Sequence, residues 1–493
     1  MYRLEHGQMT IYDFVHPFGG SLNSENRWVK MSEFIPWSEF ELKYAKKMPA
    51  MVGNVAKPFR MALGALLIQQ IMKISDEETV QQITENIYLQ FFVGLNEFSQ
   101  KTPFDQSLMT HFRKRITIEM LNEINEEIYL RKKLGRDGKN NDDNIDNNGG
   151  SRDKAVSETE VAKKPENHGK ILLDATCAPA DVRYPTDLSL LNEARELLDT
   201  MIDHAHAPLV GIISRPRTQR RNSRKLALSI LKKKNPGKNK IRAAIRKILE
   251  CVKRNLRELE QIGGIAGAAS LSGKQENQLE IIKTLYQQQQ EMFNEKKHSV
   301  ADRIVSIHQP HVRPIVRGKV AAKVEFGAKV EASLVNGYTF LDICSWDARN
   351  ESITLKETVE KYCRLHGHYP EAILADQIYR TRDNRAFCKE RSIRLSGPAL
   401  GRPKAEEKIE QMKMSREDSA ERNAIEGKFG EGKRRYGMNR IMTRLKETSE
   451  SVIGLQFLAM NLKHLLRFFC DLFWLRYFLL KNRNSGASIL YSA

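Results

Sequence analysis

The spacing of apolar positions changes character several times along the chain, and each change marks a boundary. From about 55 to 130 the apolar residues recur at three- and four-residue steps. Phe59, Met61, Leu63, Leu66, Leu67, Ile71 and Met72 form one such run, which predicts a helix. Ser75-Asp-Glu-Glu78 has the S-x-x-E form of a capping box and predicts a second helix running through Ile83 and Ile87. A third is predicted from Asp105 through His111 into the basic cluster Arg113-Lys114-Arg115. Short helices ending in a basic cluster suit a DNA-binding module, and a plain helical bundle gives the same pattern.

Between Arg131 and Gly169 large apolar residues almost vanish, so this stretch cannot build a core and reads as a disordered linker. Strand-like sequence follows at Lys170–Thr176 and, much later, at 323–335 and 338–345. The last two runs are joined by Asn336-Gly337, a strong hairpin signal. A helix over about 354–367, a strand at 372–375, a helix at 380–390 and a short strand at 393–395 come next, with helical sequence after 404. That order predicts an α/β fold, a mixed sheet flanked by helices with its early strands antiparallel. The segment 188–309 interrupts the order with charged helical periodicity.

The predicted organisation is a helical N-terminal DNA-binding domain (1–130), a linker (131–169), an α/β domain (170–187 with 310–470), a basic helical insertion (188–309) and a tail (471–493). The apolar run 468–480 carries Asp471 and Arg476 and is too short to span a bilayer. It reads as a buried terminal helix. The N-terminus lacks a charged-then-apolar signal pattern, and the expected location is the cytoplasm, with no membrane partner.

Charge sharpens the picture. The formal net charge is +19, which favours a polyanionic partner. From Arg215 to Arg254 there are sixteen Lys and Arg against one acid, Glu250. That imbalance is too lopsided for an ordinary mixed-sign surface and predicts phosphate contact. The six cysteines are scattered, with no C-x-x-C pair, which argues against a disulfide scaffold or a zinc knuckle.

Two acids close apolar runs: Asp174 follows Ile171-Leu-Leu173 and Asp376 follows Ala372-Ile-Leu-Ala375. An acid at the carboxyl end of a sheet strand often faces a functional crevice, and a turn or cap role is the alternative. A third acid, Glu426, lies in Arg422-Asn-Ala-Ile-Glu-Gly-Lys-Phe-Gly-Glu-Gly-Lys433. On a helix Arg422, Glu426, Phe429 and Lys433 share one face. Three convergent carboxylates would bind two divalent ions for in-line phosphoryl displacement. Mg2+ suits such hard oxygen ligands, and Mn2+ can substitute. The same segment spells G-x-x-x-x-G-K from Gly427 to Lys433, but Arg434 replaces the Ser or Thr of a P-loop and a polar stretch precedes it. An ATPase reading is rejected. The pairs His204/His206, His308/His311 and His366/His368 lack paired cysteines or a zincin pattern. Trp346 is a candidate for core packing or for stacking on an unpaired base. Asp181, Asp187 and Asp342 are alternative ligands if the strand register differs.

Asp174, Asp376 and Glu426 in this order, with RNAIEGKFGEGK around the Glu, resemble the DDE transposases of bacterial insertion sequences. More narrowly they resemble the group with a Tyr-Arg-Glu-Lys signature: Arg422, Glu426 and Lys433 match, while Ser419 stands where that signature has Tyr. The stretches 303–319, 324–329, 374–382 and 396–403 are similar to blocks of the same transposases, and so are the N-terminal helices. The resemblance implies an RNase H-like catalytic core with an insertion between its first strand and the hairpin. It also implies recognition of terminal inverted repeats, cleavage exposing 3′-OH ends, and their transfer into target DNA by a multimer, expected to be a homodimer, that pairs two ends. Asp174, Asp376 and Glu426 would hold the metal ions, and Arg422 and Lys433 would contact DNA phosphates. A nuclease without strand transfer, or an inactive repressor descended from a transposase, remains the alternative.

Overall fold

A computed structural model of the chain describes residue 2 and residues 8–17, 19–48, 55–140, 166–265, 267–316, 324–398 and 405–486. The N-terminal part is helical: α1 (Arg27–Phe34), α2 (Trp37–Ala45), α3 (Phe59–Met72), α4 (Asp76–Glu85), α5 (Ile87–Phe92), α6 (Leu108–Arg115) and α7 (Ile118–Asn140). Ser75 caps α4 as its sequence predicts, its side chain accepting from the Glu78 amide. The helix expected to continue through Ile87 instead stops at Glu85. The Asn86 side chain accepts from the amides of Tyr88 and Leu89 and so starts α5 afresh. Helix α7 extends through the first ten residues of the stretch read as linker. Residues 141–165 of that linker lie outside the described residues, as do the end of the 396–403 block, the 317–319 end of the 303–319 block and the tail beyond 486.

The α/β part comprises β1 (Lys170–Pro179), then α8 (Asp187–His206), α9 (Arg220–Leu231), α10 (Lys238–Gly263) and α11 (Gly273–Glu295). It resumes with β2 (Arg313–Val316), β3 (Val324–Val335), β4 (Tyr338–Ser345), α12 (Leu355–His366), β5 (Ala372–Ala375), α13 (Arg382–Glu390), β6 (Arg394–Leu395), α14 (Ala405–Arg435) and α15 (Lys446–Gly486). The sheet is mixed. Strand β3 runs antiparallel to β1, β2 and β4, whereas β1, β5 and β6 run parallel. Asn336 and Gly337 both take positive φ, 51° and 84°, the conformation a two-residue hairpin turn demands. Strand β2 was not anticipated from the sequence. It is four residues long, contains Pro314 and, among the described residues, pairs only with β3, as befits an edge strand. At Gly327 a Cβ would stand 2.2 Å from the Ala178 carbonyl oxygen, so the closeness of β1 and β3 there depends on a bare backbone.

Alternation along the strands divides the core. One sheet face, with Ile171, Leu173, Ile373 and Phe340, shares a hydrophobic cluster with Phe59, Leu66, Phe112 and Ile124 of the N-terminal helices. These helices therefore pack on the sheet itself. The opposite face, with Leu172, Val330, Ala332 and Leu374, packs on Ile425 and Phe429 of α14 and on Phe457 and Met460 of α15. Helices α8–α11 surround a core of their own that includes Leu191, Leu198, Ile248 and Ile282. Each such buried aliphatic side chain contributes about 1.5–3 kcal/mol. A buried amide cluster joins three of these elements. Asn461 accepts from the Thr339 amide at 2.9 Å and donates to the Thr339 carbonyl and to Asn125 Oδ1, both at 2.8 Å. Among the described residues no helix is long and apolar enough to cross a membrane.

Candidate active site

The parallel pairing of β1 with β5 sets the position of two acids. Leu173 is in register with Ala375, so Asp174, inside β1, stands beside Asp376, the first residue past the end of β5. Asp174 continues along β1 opposite Ala332. Its Oδ1 accepts from the Ala175 amide at 2.8 Å. Strand β5 ends at Ala375, and Asp376 caps the short turn of helix that follows, accepting from the Gln377 amide at 2.7 Å. A cap role and a place in a crevice thus coexist in Asp376.

The third acid is brought in by α14. Ile425 and Phe429, four residues apart, seat that helix on the sheet. Arg394 clasps Asp418 through two bonds of 2.7 and 2.9 Å, and Lys170 reaches Glu421 at 2.7 Å. With the helix anchored along this length, Glu426 projects toward Asp174 and Asp376. All three acids line one cleft of about 660 Å3, together with Lys433, Lys329 and Glu351. Of the glycines near Glu426, Gly432 lies against Met438, where an added Cβ would stand 2.9 Å from Cε and displace the tip of that flexible side chain. Gly427 meets nothing within 4 Å, and nothing in the packing accounts for it.

Arg422 lies between two of the acids. Its guanidinium is 3.2 Å from Asp376 Oδ1 and 3.9 Å from Glu426 Oε1. Burial pushes the Asp174 carboxyl above the usual range, opposed by its bond from the Ala175 amide and by the Arg422 charge. The cleft also holds two residues that the sequence reading missed. Lys329 Nζ pairs with Glu351 at 2.8 Å and donates to the Arg349 carbonyl at 2.6 Å. A lysine among the apolar residues of β3 was the available signal; Glu351 opens a short 3-10 turn after a polar stretch and gave none.

The donor set is chemically suited to hard divalent cations, since three carboxylates from three elements face one space. Among the described residues, no group of three or more His, Cys, Asp or Glu stands close enough to hold an ion as it is. Arg422 supplies positive charge between Asp376 and Glu426 instead.

The other candidates are placed elsewhere. Asp181 pairs with Arg440 at 2.6 Å and Asp187 with Arg303 at 2.7 Å, while Asp342 is buried beside Ser333. Trp346 is buried, donates to Glu450 at 2.9 Å and meets the His311 ring edge-on, a packing role. His204 and His206 bond to backbone carbonyls, His308 pairs with Glu193, and His366 stacks on Tyr362. Ser419, at the position of the signature Tyr, bonds back to the Ser415 carbonyl at 2.8 Å.

Comparison with known proteins connects this geometry to a family. Residues 373–463, which include Asp376, Arg422, Glu426 and Lys433, match the family described as Transposase DDE domain. Residues 17–115 match the one described as Transposase domain (DUF772). The chain is also 28% identical over 177 residues to a protein of Rhizobium meliloti named uncharacterized protein ORF8 in nfe locus, an overlap of 36% of this chain and 73% of the relative. No solved structure matches it.

Proposed function

We propose that this chain is an insertion-sequence DNA transposase of the DDE type, with Asp174, Asp376 and Glu426 as its catalytic acids. One observation carries the reading. Acids that are distant in sequence, one on a strand, one just past the end of its parallel neighbour and one on a helix, line one cleft, and the latter two lie in the stretch similar to transposase DDE domains. The fold supports an RNase H-like core: a mixed sheet flanked by helices, with α8–α11 inserted between β1 and the β3–β4 hairpin.

The substrate would be the duplex at the terminal inverted repeats, and the reaction needs no external energy. Water adds to the phosphorus at the element end as the P–O3′ bond breaks, and the departing oxygen takes a proton to become a 3′-OH. That hydroxyl then forms a new P–O bond in target DNA, displacing a target 3′-OH. Divalent ions bound by Asp174, Asp376 and Glu426 would supply Lewis-acid activation of the attacking oxygen and stabilise the leaving one. Arg422 and Lys433, on the same helix as Glu426, contact the phosphates beside the reacting bond. A homodimer pairing two ends, working in the cytoplasm, completes the reading.

The test is Mg2+-dependent cleavage and joining on a duplex carrying the element's terminal repeat, with wild type beside Glu426→Gln. Joined products that vanish in the variant while DNA binding persists are expected. Cleavage without joining supports a nuclease, binding without cleavage supports a repressor, and cleavage that survives the substitution removes Glu426 from the site.

A further inference from the structure

Between residues 220 and 247 the chain carries twelve Lys and Arg and no Asp or Glu. The fold turns nearly all of them outward. Ala227, Ile230, Ala244 and Ile248 face inward, while eleven of the twelve cations, all but Arg220, are exposed. Elsewhere surface lysines find carboxylates, as in Lys43–Glu123, Lys170–Glu421 and Lys283–Glu280. Lys232, Lys233, Lys234, Lys238 and Lys240 have no acidic partner among the described residues. Neighbouring like charges repel within a Debye length of about 8 Å. A surface that keeps so many unneutralised is built for a polyanion.

The position of this hairpin relative to the cleft gives it a role. A cavity of about 640 Å3 is walled on one side by Ile230, Lys233 and Ile241 of the α9–α10 hairpin and on the other by Val316 and Phe326 of the sheet edge. Val316, which is 76% exposed, also lines the cleft that holds the three acids. Among the described residues, the edge strand β2 thus stands between the basic hairpin and the catalytic cleft, with Val316 lining both spaces. The cleft lining itself carries four carboxylates against Lys329 and Lys433, so it is a poor grip for DNA. The basic half of α10, about ten residues at 1.5 Å each, spans about 15 Å, or four to five base pairs at 3.4 Å.

We infer that the α9–α10 hairpin is a duplex-DNA track continuous with the catalytic cleft across β2, gripping the phosphates of the duplex beside the cleaved position without reading bases. The track rests on the reading of the cleft as the strand-transfer site for its placement, though its binding can be measured without catalysis. Phosphate contacts set affinity and its salt dependence, and exposed lysines carry no core packing.

The experiment uses the full chain, wild type beside Lys232→Gln/Lys233→Gln/Lys234→Gln, and a labelled random-sequence duplex of about 25 base pairs. Binding is followed by fluorescence anisotropy between 50 and 200 mM NaCl. Each lost phosphate contact lowers the slope of log K against log salt by about 0.9. The slope should therefore become shallower by about 2–3, with affinity at 100 mM salt falling more than tenfold and the melting temperature unchanged. An unchanged slope overturns the track, as does a loss seen with RNA but not with duplex DNA. Cleavage of an end substrate by the wild type should weaken as the duplex beside the cleaved position is trimmed, and the triple variant should be indifferent to trimming; equal sensitivity of both overturns the placement. Should the slope change as expected while no variant or wild type cleaves, the catalytic reading fails and the DNA-binding hairpin stands. Cleavage with unaltered binding leaves the catalytic reading and removes the track.

Discussion

Replacing Arg422 by Gln isolates the electrostatics of the cleft. The guanidinium stands 3.2 Å from Asp376 and 3.9 Å from Glu426, and both carboxylates are more than half exposed. At such exposure an ion pair contributes about 0.2–1 kcal/mol, far below the value a dry interior would give. The two pairs together amount to about 0.4–2 kcal/mol. An incoming divalent cation must displace this interaction, because Arg422 neutralises the same oxygens. At 1.4 kcal/mol per factor of ten, Arg422→Gln should tighten divalent-ion binding by roughly two- to thirtyfold in the absence of DNA. Titration with Mn2+ followed by electron paramagnetic resonance or calorimetry measures it directly. The gain should shrink at high salt, where exposed pairs are screened, and Arg422→Lys should stay near wild type. Strand cleavage should fall in the Gln variant all the same, since the phosphate loses a cation. An Mn2+ affinity that is unchanged or weaker in Arg422→Gln would refute the argument.

Two further expectations concern the scaffold. Asn461→Ala orphans the Thr339 amide and Asn125 Oδ1 in a fully buried cluster; at about 1–3 kcal/mol per unsatisfied group, urea unfolding should show a loss of about 2–6 kcal/mol, and a loss below 1 kcal/mol contradicts it. Burial pushes the Asp342 carboxyl up to about 7, opposed by Lys361 at 3.9 Å and reinforced by Glu331 and Glu126. Since the folded state then holds the proton more tightly than the unfolded chain, stability falls as pH rises from about 4 to 7. Asp342→Asn removes this dependence, so its unfolding midpoint should exceed wild type by more at pH 8 than at pH 5; an equal shift at both pH values rules the account out.

Much of the architecture was written locally. The Asn336-Gly337 turn, the Ser75 cap and the two acids closing the runs 171–173 and 372–375 depend on neighbours within a few residues, so periodicity and turn chemistry exposed them in advance. Asp174, Asp376 and Glu426, with Arg422 and Lys433, were singled out because their order and spacing resemble a family, and the structure gathers the three acids at one cleft. Glu351, Lys329 and strand β2 were not singled out. Glu351 meets Lys329, twenty-two residues earlier on β3, across the cleft at 2.8 Å, and β2 forms against the edge that β3 offers, neither of which a local pattern announces. The break at Asn86 was missed because one side chain's competition for two amides overrode a continuous apolar pattern. The packing of the N-terminal helices on the sheet came from apolar faces whose partner no local pattern names. The sequence determined which residues would carry charge, cap helices and line strands. Tertiary packing alone decided that Asp174 and Asp376 stand side by side, that α14 lies against them, and that Val316 of the edge strand β2 borders both the cleft and the cavity beside the basic hairpin. The physical reason is that strand pairing and helix seating are long-range contacts, satisfied only when the whole core closes.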